Sequence, residues 1–351
     1  MPNRTKNKYL VVKGKAGLGN RIQSLLTGIL YSKLSGRKLY IDWSDPTYTN
    51  DGTNSFHRFF KCPLVSPNDQ FPETDSVSPD IWNGCLHKSV REMESLLGNI
   101  TDPEESRRRL SIVPAKLDYS EDLLIMWTHM ERVDDLRGYF NGKYKQIAYS
   151  SAEQILKGLL KEDLILQSEI RERVDQFRRE CFNPDTLGLH VRYSDRKVEL
   201  SNILGKLESV LKRIPPCQIF LATDNEQIKE DLEKSYPNVI TAPHWYPAPG
   251  THIHQNSNCP DRIENGIEAL VDLYLLAECD YLIIDSGSSF SYLAKLLSKT
   301  PSSRIYDVNR TRKRRRQLRS LILRLSAKLG WYSLGLRVIN AGEWIHDRLH
   351  L

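Results

Sequence analysis

Short apolar runs alternate with stretches of helical periodicity along most of the chain. Residues 9–12 form the first apolar run, and a helical spacing of apolar residues follows at Ile22, Leu25, Leu26, Ile29 and Leu30. Further strand patterns lie at 38–43 and 123–127, a polar stretch lies at 45–79, and a helical pattern lies at 168–181. Strands and helices then alternate at 188–192, 202–213, 218–222, 227–235 and 281–284. This alternation predicts an α/β fold with a doubly wound parallel sheet in the C-terminal half.

A glycine-rich loop at 13–21 follows the first predicted strand and precedes a predicted helix. Such a junction exposes backbone N–H groups at the positive end of the helix dipole, which favours anions. Gly14 and Gly19 have the spacing of a P-loop, but Asn20 and Arg21 stand where Lys and Ser or Thr are required. The dinucleotide-binding pattern also fails, because Ile22 occupies the third glycine position. The loop therefore predicts a phosphate-facing or acceptor-facing element of another kind.

Three more junctions carry polar groups at the ends of predicted strands. The run 187–195 places His190, Arg192 and Asp195 at a strand end, and Arg192 has the planar donor fork that suits a phosphate. A second strand ends in Thr223 and Asp224, and a third ends in 285–291, whose serines can cap a helix or donate to a phosphate. Each junction alone is also explained by an ion pair or a helix cap. Ligands bind at the carboxyl ends of strands in open α/β sheets, so the combination predicts a binding site.

Together these motifs resemble the GDP-fucose-dependent fucosyltransferases, and in particular their α1,6 branch, which includes the rhizobial nodulation fucosyltransferases. The run 190–195 is similar to the His-x-Arg-Arg-x-Asp motif of that superfamily, 220–225 to its strand ending in Thr-Asp, and 17–20 to its N-terminal glycine motif. Residues 262–294 resemble its donor-binding region. The resemblance covers residues 9 to 300 as an ordered set of motifs and is weak between them.

The resemblance implies a two-lobed GT-B-like glycosyltransferase that moves fucose from GDP-fucose to a glycan or a lipid-linked glycan. It implies that Asp272 reads the guanine, that Arg192 clamps the diphosphate and that His190 lies beside the sugar. The donor-binding residues that it implies are Asp272, Ser288, Ser289, Asp285, Thr223, Asp224, Gly17, Gly19 and Asn20. The donor is a substrate, and no resident cofactor is expected.

Sugar transfer requires stabilisation of a departing diphosphate, by a metal ion or by fixed cations and N–H groups. The sequence contains no Asp-x-Asp pair, so we expect metal-independent transfer, as the resemblance implies. Inversion requires a base for the acceptor hydroxyl, and Glu199 is the candidate, with Asp195, Asp42 and Asp45 as rivals. Arg192, His190, Glu199 and Asp195 are thus the expected catalytic residues, although a glutamate in such a charged loop is more often a solvated charge.

Two features depart from a simple assignment. Tyr193 stands where the superfamily has a second arginine, and we expect it to stack on a ligand or to contact the acceptor. His244, His252 and His254 cluster in an aromatic and proline-rich segment, which predicts an acceptor loop or surface loop more than a metal site, because no acidic residue stands at ligand spacing.

The C-terminal segment has a different composition. The run 310–316 holds six basic residues, and apolar residues then recur at helical spacing with basic residues between them. The net charge of +6 is close to the charge of this run alone. Residues 310–329 therefore predict a basic amphipathic helix on an anionic membrane surface, with a helix packed across the first lobe as the rival and nucleic-acid binding as the weakest alternative.

The 351 residues suffice for three parts, which we place at 1–165 (acceptor side), 166–305 (GDP-sugar side) and 306–351 (basic tail). The six cysteines show no paired spacing and predict free thiols, and no apolar leader precedes the first strand. We therefore expect a cytoplasmic protein, peripheral on the inner face of the membrane. Two alternatives remain open, which are transfer from another sugar nucleotide and a non-catalytic protein that binds glycan or nucleic acid.

Overall fold

The structure is a computed structural model, and it describes residues 8–193, 200–247 and 258–309, together with residues 318, 321, 322 and 325. Eleven strands lie in these ranges: β1 (Tyr9–Lys13), β2 (Lys38–Asp42), β3 (Phe60–Lys61), β4 (Val77–Ser78), β5 (Leu123–Met126), β6 (Ile165–Leu166), β7 (Leu187–Val191), β8 (Ile219–Thr223), β9 (Val239–Ile240), β10 (Tyr281–Ile284) and β11 (Ile305–Asp307). The helices in the same ranges are α1 (Leu18–Ser35), α2 (Phe56–Phe59), α3 (Val90–Leu96), α4 (Pro103–Leu110), α5 (Ala152–Glu162), α6 (Ser168–Cys181), α7 (Leu200–Leu211), α8 (Glu226–Ser235), α9 (Arg262–Ala277) and α10 (Ser289–Leu297).

Two parallel sheets organise the chain. The first has the order β2-β1-β5-β4, and the second has the order β11-β10-β7-β8-β9. Every pairing within these two sheets is parallel, and β3 pairs with β6 in a short antiparallel ribbon. Strand, helix and strand alternate through the second sheet, as the sequence pattern predicts. The α/β fold class is therefore confirmed, whereas the three predicted part boundaries stay a prediction.

The register of strand pairing in the second sheet places the carboxyl ends of its strands next to one another. Val191 at the end of β7 lies opposite Thr223 at the end of β8, and Leu189 lies opposite Ile283 on β10. The residues that follow these strands, among them Arg192 and Asp224, therefore leave the sheet side by side at one edge. Helix caps fix the chain beyond that edge: Asn225 accepts from the N–H of Ile228.

One apolar cluster runs through both sheets. It includes Leu10 and Val12 of β1, Phe220 of β8 and Leu282 of β10, each fully buried. Helix α1 packs against α10 between the two sheets. Burial of this cluster is the main favourable contribution to folding, at about 25 cal/mol for each Å² of apolar surface removed from water. The two sheets therefore share a core.

The stretch 45–79 contains a buried aromatic group although its composition is largely polar. Phe56, Phe59 and Phe60 are at most 1% exposed, and Phe56 and Phe60 each meet the Trp43 ring edge-on, at 5.4 and 6.3 Å between ring centroids. The prediction of a polar stretch is wrong at this point, because three closely spaced aromatic residues form a buried aromatic anchor. The average polarity of the 35 residues does not reveal it. The anchor fixes the segment that carries Tyr48.

Candidate active site

Polar side chains from both sheets converge on one cavity at the carboxyl edge of the second sheet. The glycine loop contributes Gly17, Gly19 and Asn20 from the first sheet. The second sheet and its helices contribute further predicted residues, namely His190, Arg192, Thr223, Asp224, Asp272 and Ser289. The structure therefore brings together nine of the residues expected to bind the donor or to take part in catalysis.

His190 is held on two sides. Its Nδ1 lies 2.6 Å from Ser291 Oγ, and its ring stacks on Phe290 with centroids 5.0 Å apart. Ser291 Oγ also accepts from the N–H of Asp285 at 3.4 Å, so its own proton is free to go to His190 Nδ1. Burial lowers the pKa of His190 to about 4, and the nearby Arg192 charge acts in the same direction. The imidazole is therefore neutral at pH 7, and this tautomer leaves an N–H on Nε2.

Arg192 lines the cavity, and its charge acts on its neighbours. The guanidinium lowers the pKa of His190 and opposes the upward shift that burial gives Tyr48. The next residue points elsewhere: the Tyr193 side chain packs against the apolar cluster of β7, β8 and α7. Its backbone N–H donates to Asp224 Oδ1 at 2.8 Å. Tyr193 is thus not among the residues that line the cavity, in contrast to the expected stacking or acceptor contact.

Ser288 and Ser289, at the start of α10, have different roles. The Ser288 hydroxyl caps the helix by accepting from the N–H of Ser291, and Ser288 is buried. Ser289 lines the cavity, and its hydroxyl donates to Asn20 Oδ1 at 2.9 Å. Asp285 turns back on its own loop and accepts from the N–H of Gly287 at 2.7 Å. Of these three predicted donor-binding residues, only Ser289 lies at the cavity surface.

An arginine clamp shapes the glycine loop. Arg21 is buried, its Nε donates to the Ala16 carbonyl at 2.8 Å, and its two Nη atoms lie 2.7 Å from the two Asp45 carboxylate oxygens. Ala16 has a φ of 61°, a left-handed conformation that is strained for a residue with a Cβ. Asp42 is likewise committed, in a buried pair with Lys13 at 2.6 Å. Both rival bases from the first sheet are therefore engaged in structural ion pairs.

Asp272 projects from α9 into the cavity in a buried position. Burial raises its pKa well above the usual range, and the negative Glu268 one turn earlier adds to the shift. His244 lies beside it, with Nδ1 3.9 Å from Asp272 Oδ2. The His244 side chain is 4% exposed, so the interpretation of this residue as part of a surface loop is wrong. Three prolines around it suggest a loop, but they do not reveal that it folds inward.

Some predicted residues lie outside the described residues. These are Asp195 and Glu199, His252 and His254, and the basic run 310–316. Within the described ranges, no group of three His, Cys, Asp or Glu side chains could hold a metal ion, and no helix is long and apolar enough to cross a bilayer. All six cysteines are described, and each is a free thiol, as predicted.

Tyr48 and Phe290 also line the cavity, and neither was singled out from the sequence. Tyr48 accepts from the N–H of Leu18 at 3.0 Å and so supports the start of α1. Phe290 stacks on His190. Tyr48 carries no local sequence signal, whereas Phe290 follows the predicted serines directly and belongs to the same junction.

Comparisons with known proteins find similar sequences and similar structures. The family model for nodulation protein Z (NodZ) matches residues 150–318. Nodulation protein Z of Bradyrhizobium diazoefficiens is 25% identical over 342 residues, covering 86% of this chain and 82% of that protein. The protein of the same name from Sinorhizobium fredii is 23% identical, covering 86% of this chain and 94% of its own.

Solved structures extend the likeness to the fold. The structure of NodZ α-1,6-fucosyltransferase co-crystallized with GDP matches with a TM-score of 0.58 and 23% identity, covering 84% of this chain and 93% of that chain. Arabidopsis thaliana FUT1 in complex with GDP matches with a TM-score of 0.53 and 16% identity, covering 87% and 73%. The resemblance seen in the sequence is therefore confirmed: this chain has the GT-B-like α/β fold of these fucosyltransferase structures, and its sequence is similar to that of nodulation protein Z.

Proposed function

We propose that this protein is a fucosyltransferase that moves fucose from GDP-fucose to a glycan, with inversion and without a metal ion. One observation carries the proposal: Arg192, Asp272, Ser289 and the glycine loop meet in a single cavity at the carboxyl edge of a parallel sheet. NodZ structures co-crystallized with GDP and soaked with GDP-fucose have the same fold.

The described residues suit the parts of such a donor. Arg192 offers a bidentate clamp for the diphosphate, and the N-terminus of α10 adds the Ser289 hydroxyl and backbone N–H groups. Asp272 offers a buried carboxylate for the N–H donors of a guanine. The His190 imidazole, fixed by Ser291, offers a neutral N–H beside the sugar. Since a fixed cation and a helix N-terminus can stabilise the leaving diphosphate, these residues support the metal-independent part of the proposal.

The proposed base is Glu199, with Asp195 as its rival. The ion pairs of Asp42 with Lys13 and of Asp45 with Arg21 favour this choice, because a paired and buried carboxylate is poorly placed to take a proton from an incoming hydroxyl. A base on the far side of the sugar carbon from the diphosphate is the requirement for inversion.

A second cleft is the proposed acceptor site. It has a volume of about 1370 Å³ and begins where the donor cavity ends, since Ala16 lines the cleft and Gly17 lines the cavity. Lys15, Glu94 and Arg91 line it, and Arg262 reaches it from the second half of the chain. Mixed charges in a large open cleft suit the hydroxyl-rich surface of a glycan more than an apolar ligand.

We also propose a cytoplasmic location at a membrane surface. The free cysteines support a reducing compartment. Leu318, Leu321 and Leu325 are helical, share one face by their spacing and are 58%, 45% and 50% exposed. An exposed apolar face next to a basic run is typical of helices that lie on anionic lipid, and a lipid-linked glycan acceptor would fit this location.

Calorimetric titration with GDP, GDP-fucose and UDP, with EDTA throughout, tests the donor. We expect GDP and GDP-fucose to bind and UDP to bind poorly. Arg192→Ala should fold normally and lose transfer by roughly 10²–10³-fold, by analogy with the loss of one charge-stabilising donor. Arg213→Ala is the matched control, because Arg213 is an exposed residue in the same half of the chain as Arg192 and its substitution removes the same charge. Near-normal transfer by Arg192→Ala, or no binding of guanine nucleotides, would refute the proposal.

A further inference from the structure

His244 has a buried imidazole without a hydrogen-bond partner. Neither ring nitrogen is hydrogen-bonded to a described residue, although the side chain is only 4% exposed and lines the donor cavity. A buried polar group that lacks its hydrogen bond destabilises the folded protein. At a cavity surface, a bound ligand can supply the missing hydrogen-bond partner, which would explain why the protein itself provides none.

The surroundings fix the ring and explain why it lacks a partner. Its Nδ1 lies 3.9 Å from both Asp272 Oδ2 and Glu268 Oε2, too far for a hydrogen bond. Glu268 accepts instead from the N–H of Trp245 at 2.8 Å. The Tyr246 ring packs edge-on against the imidazole, with centroids 5.0 Å apart. The ring is thus held next to Asp272 with its hydrogen-bonding capacity unused.

The imidazole is neutral under ordinary conditions. Burial lowers the pKa of His244 to about 4, against a small opposing effect of the Asp224 charge. A neutral imidazole has one N–H donor and one acceptor nitrogen. It can therefore donate one hydrogen bond into the cavity without adding a charge beside the diphosphate.

The chemistry of a guanine ring indicates what His244 binds. If Asp272 accepts from the N1–H and the 2-amino group, the atom next to N1 on the same edge is O6, which is an acceptor. We propose that His244 is a second base-reading residue and donates its N–H to O6 of the guanine. This inference rests on the proposed use of GDP-fucose and adds a specificity-determining contact to it.

The test compares GDP with 6-thio-GDP, which keeps N1–H and the 2-amino group but replaces O6 by the weak acceptor sulfur. Calorimetry on the full-length wild type should show GDP binding roughly tenfold tighter than 6-thio-GDP. His244→Ala should bind GDP about tenfold more weakly than wild type and should bind the two nucleotides alike. His244→Gln keeps an N–H donor and much of the side-chain volume, so it should retain part of the preference for GDP over 6-thio-GDP. This variant replaces His244→Ala in the test if the alanine variant does not fold.

Tyr246→Phe is the control for a disturbed segment, because it keeps the ring against His244 and removes only the hydroxyl. We expect this variant to keep the wild-type preference for GDP. An unchanged preference in a folded His244→Ala would overturn the inference while GDP binding, and with it the proposed function, stands. Failure of the wild type to bind GDP would overturn the proposed function and this inference together.

Discussion

Gly19 lies at a tight contact between the first and second halves of the chain. A Cβ at this position would lie 2.6 Å from Ser289 Oγ and 2.8 Å from both Ser289 C and Phe290 N. Two of these atoms are backbone, so a side-chain rotation cannot make room. For Gly19→Ala, α1 and α10 must separate by about 0.6 Å to restore an ordinary contact of 3.4 Å from 2.8 Å.

This separation acts on stability and on transfer. Overpacking in a well-packed region costs about 1–3 kcal/mol, so we expect Gly19→Ala to lower the free energy of unfolding by that amount. It also lengthens the hydrogen bond between Ser289 and Asn20 in the wall of the donor cavity. Because a misplacement of 1 Å at a catalytic site costs up to about a hundredfold, we expect kcat to fall by roughly tenfold.

Denaturant unfolding followed by circular dichroism and a transfer assay at saturating GDP-fucose measure the two effects. Gly158→Ala is the matched control: Gly158 lies within α5, and a Cβ there would meet no atom within 4 Å. That variant should be more stable by up to about 1 kcal/mol, because alanine favours a helix over glycine. Unchanged stability and unchanged kcat in Gly19→Ala would refute the tight contact between α1 and α10.

Two further changes probe the charges of the site. Asp272→Asn should abolish GDP binding yet raise the Tm of the ligand-free protein at neutral pH, because burial and the Glu268 charge raise the carboxyl pKa and so make ionisation costly in the folded state. Because the pKa of Asp272 is raised in the folded state, the wild type loses stability as the pH rises above the usual carboxyl range, and the gain in Tm from Asp272→Asn should therefore shrink in acid. Melting curves at neutral pH and in acid measure this change, and a gain in Tm that does not depend on pH would contradict it. Arg21→Met should lower the free energy of unfolding by about 3–5 kcal/mol at neutral pH, because it leaves the buried Asp45 unpaired. Burial raises the pKa of Asp45, but the charge and hydrogen bonds of Arg21 more than offset it and hold the pKa below its usual range. The wild-type advantage should therefore shrink as pH falls through that lowered pKa, and urea unfolding across an acid pH series would show whether it does.

The three central strands of the second sheet, β10, β7 and β8, were predictable because each has a strong local signal, whereas the short edge strands β9 and β11 were not predicted. The helix at 168–181 has its predicted bounds, and the strand predicted at 188–192 lies at 187–191. Apolar runs bounded by polar residues and helical spacing need no knowledge of distant contacts. The cavity was predictable for a related reason, since the carboxyl ends of parallel strands meet at one edge.

The side-chain direction of Tyr193 could also have been read from the sequence. Alternate residues of an extended chain point to opposite sides, so His190 and Arg192 share one side and Tyr193 lies on the other. The structure agrees: the first two line the cavity and the third packs on the apolar cluster.

Other features depend on contacts that no local pattern contains. Tyr48 reaches the site because the aromatic anchor around Trp43 fixes its segment. His244 faces inward because Glu268, on the later helix α9, binds the N–H of the next residue. The clamp of Arg21 on Asp45 joins residues 24 positions apart. Spacing along the chain cannot reveal such pairings, since they follow from the tertiary packing.

The apolar cluster shared by the two sheets sets the size of the cooperative unit. Residues from β1, β5, β8 and β10 are buried in the same cluster, so neither half can keep its interior dry without the other. The segment 150–318, which the family model for nodulation protein Z matches, is therefore smaller than the unit that folds. The full chain should melt in one calorimetric transition, and that segment expressed alone should expose the face that packs on β1 and α1 and aggregate. The region that the family model matches and the region that folds as a unit thus have different boundaries in this protein.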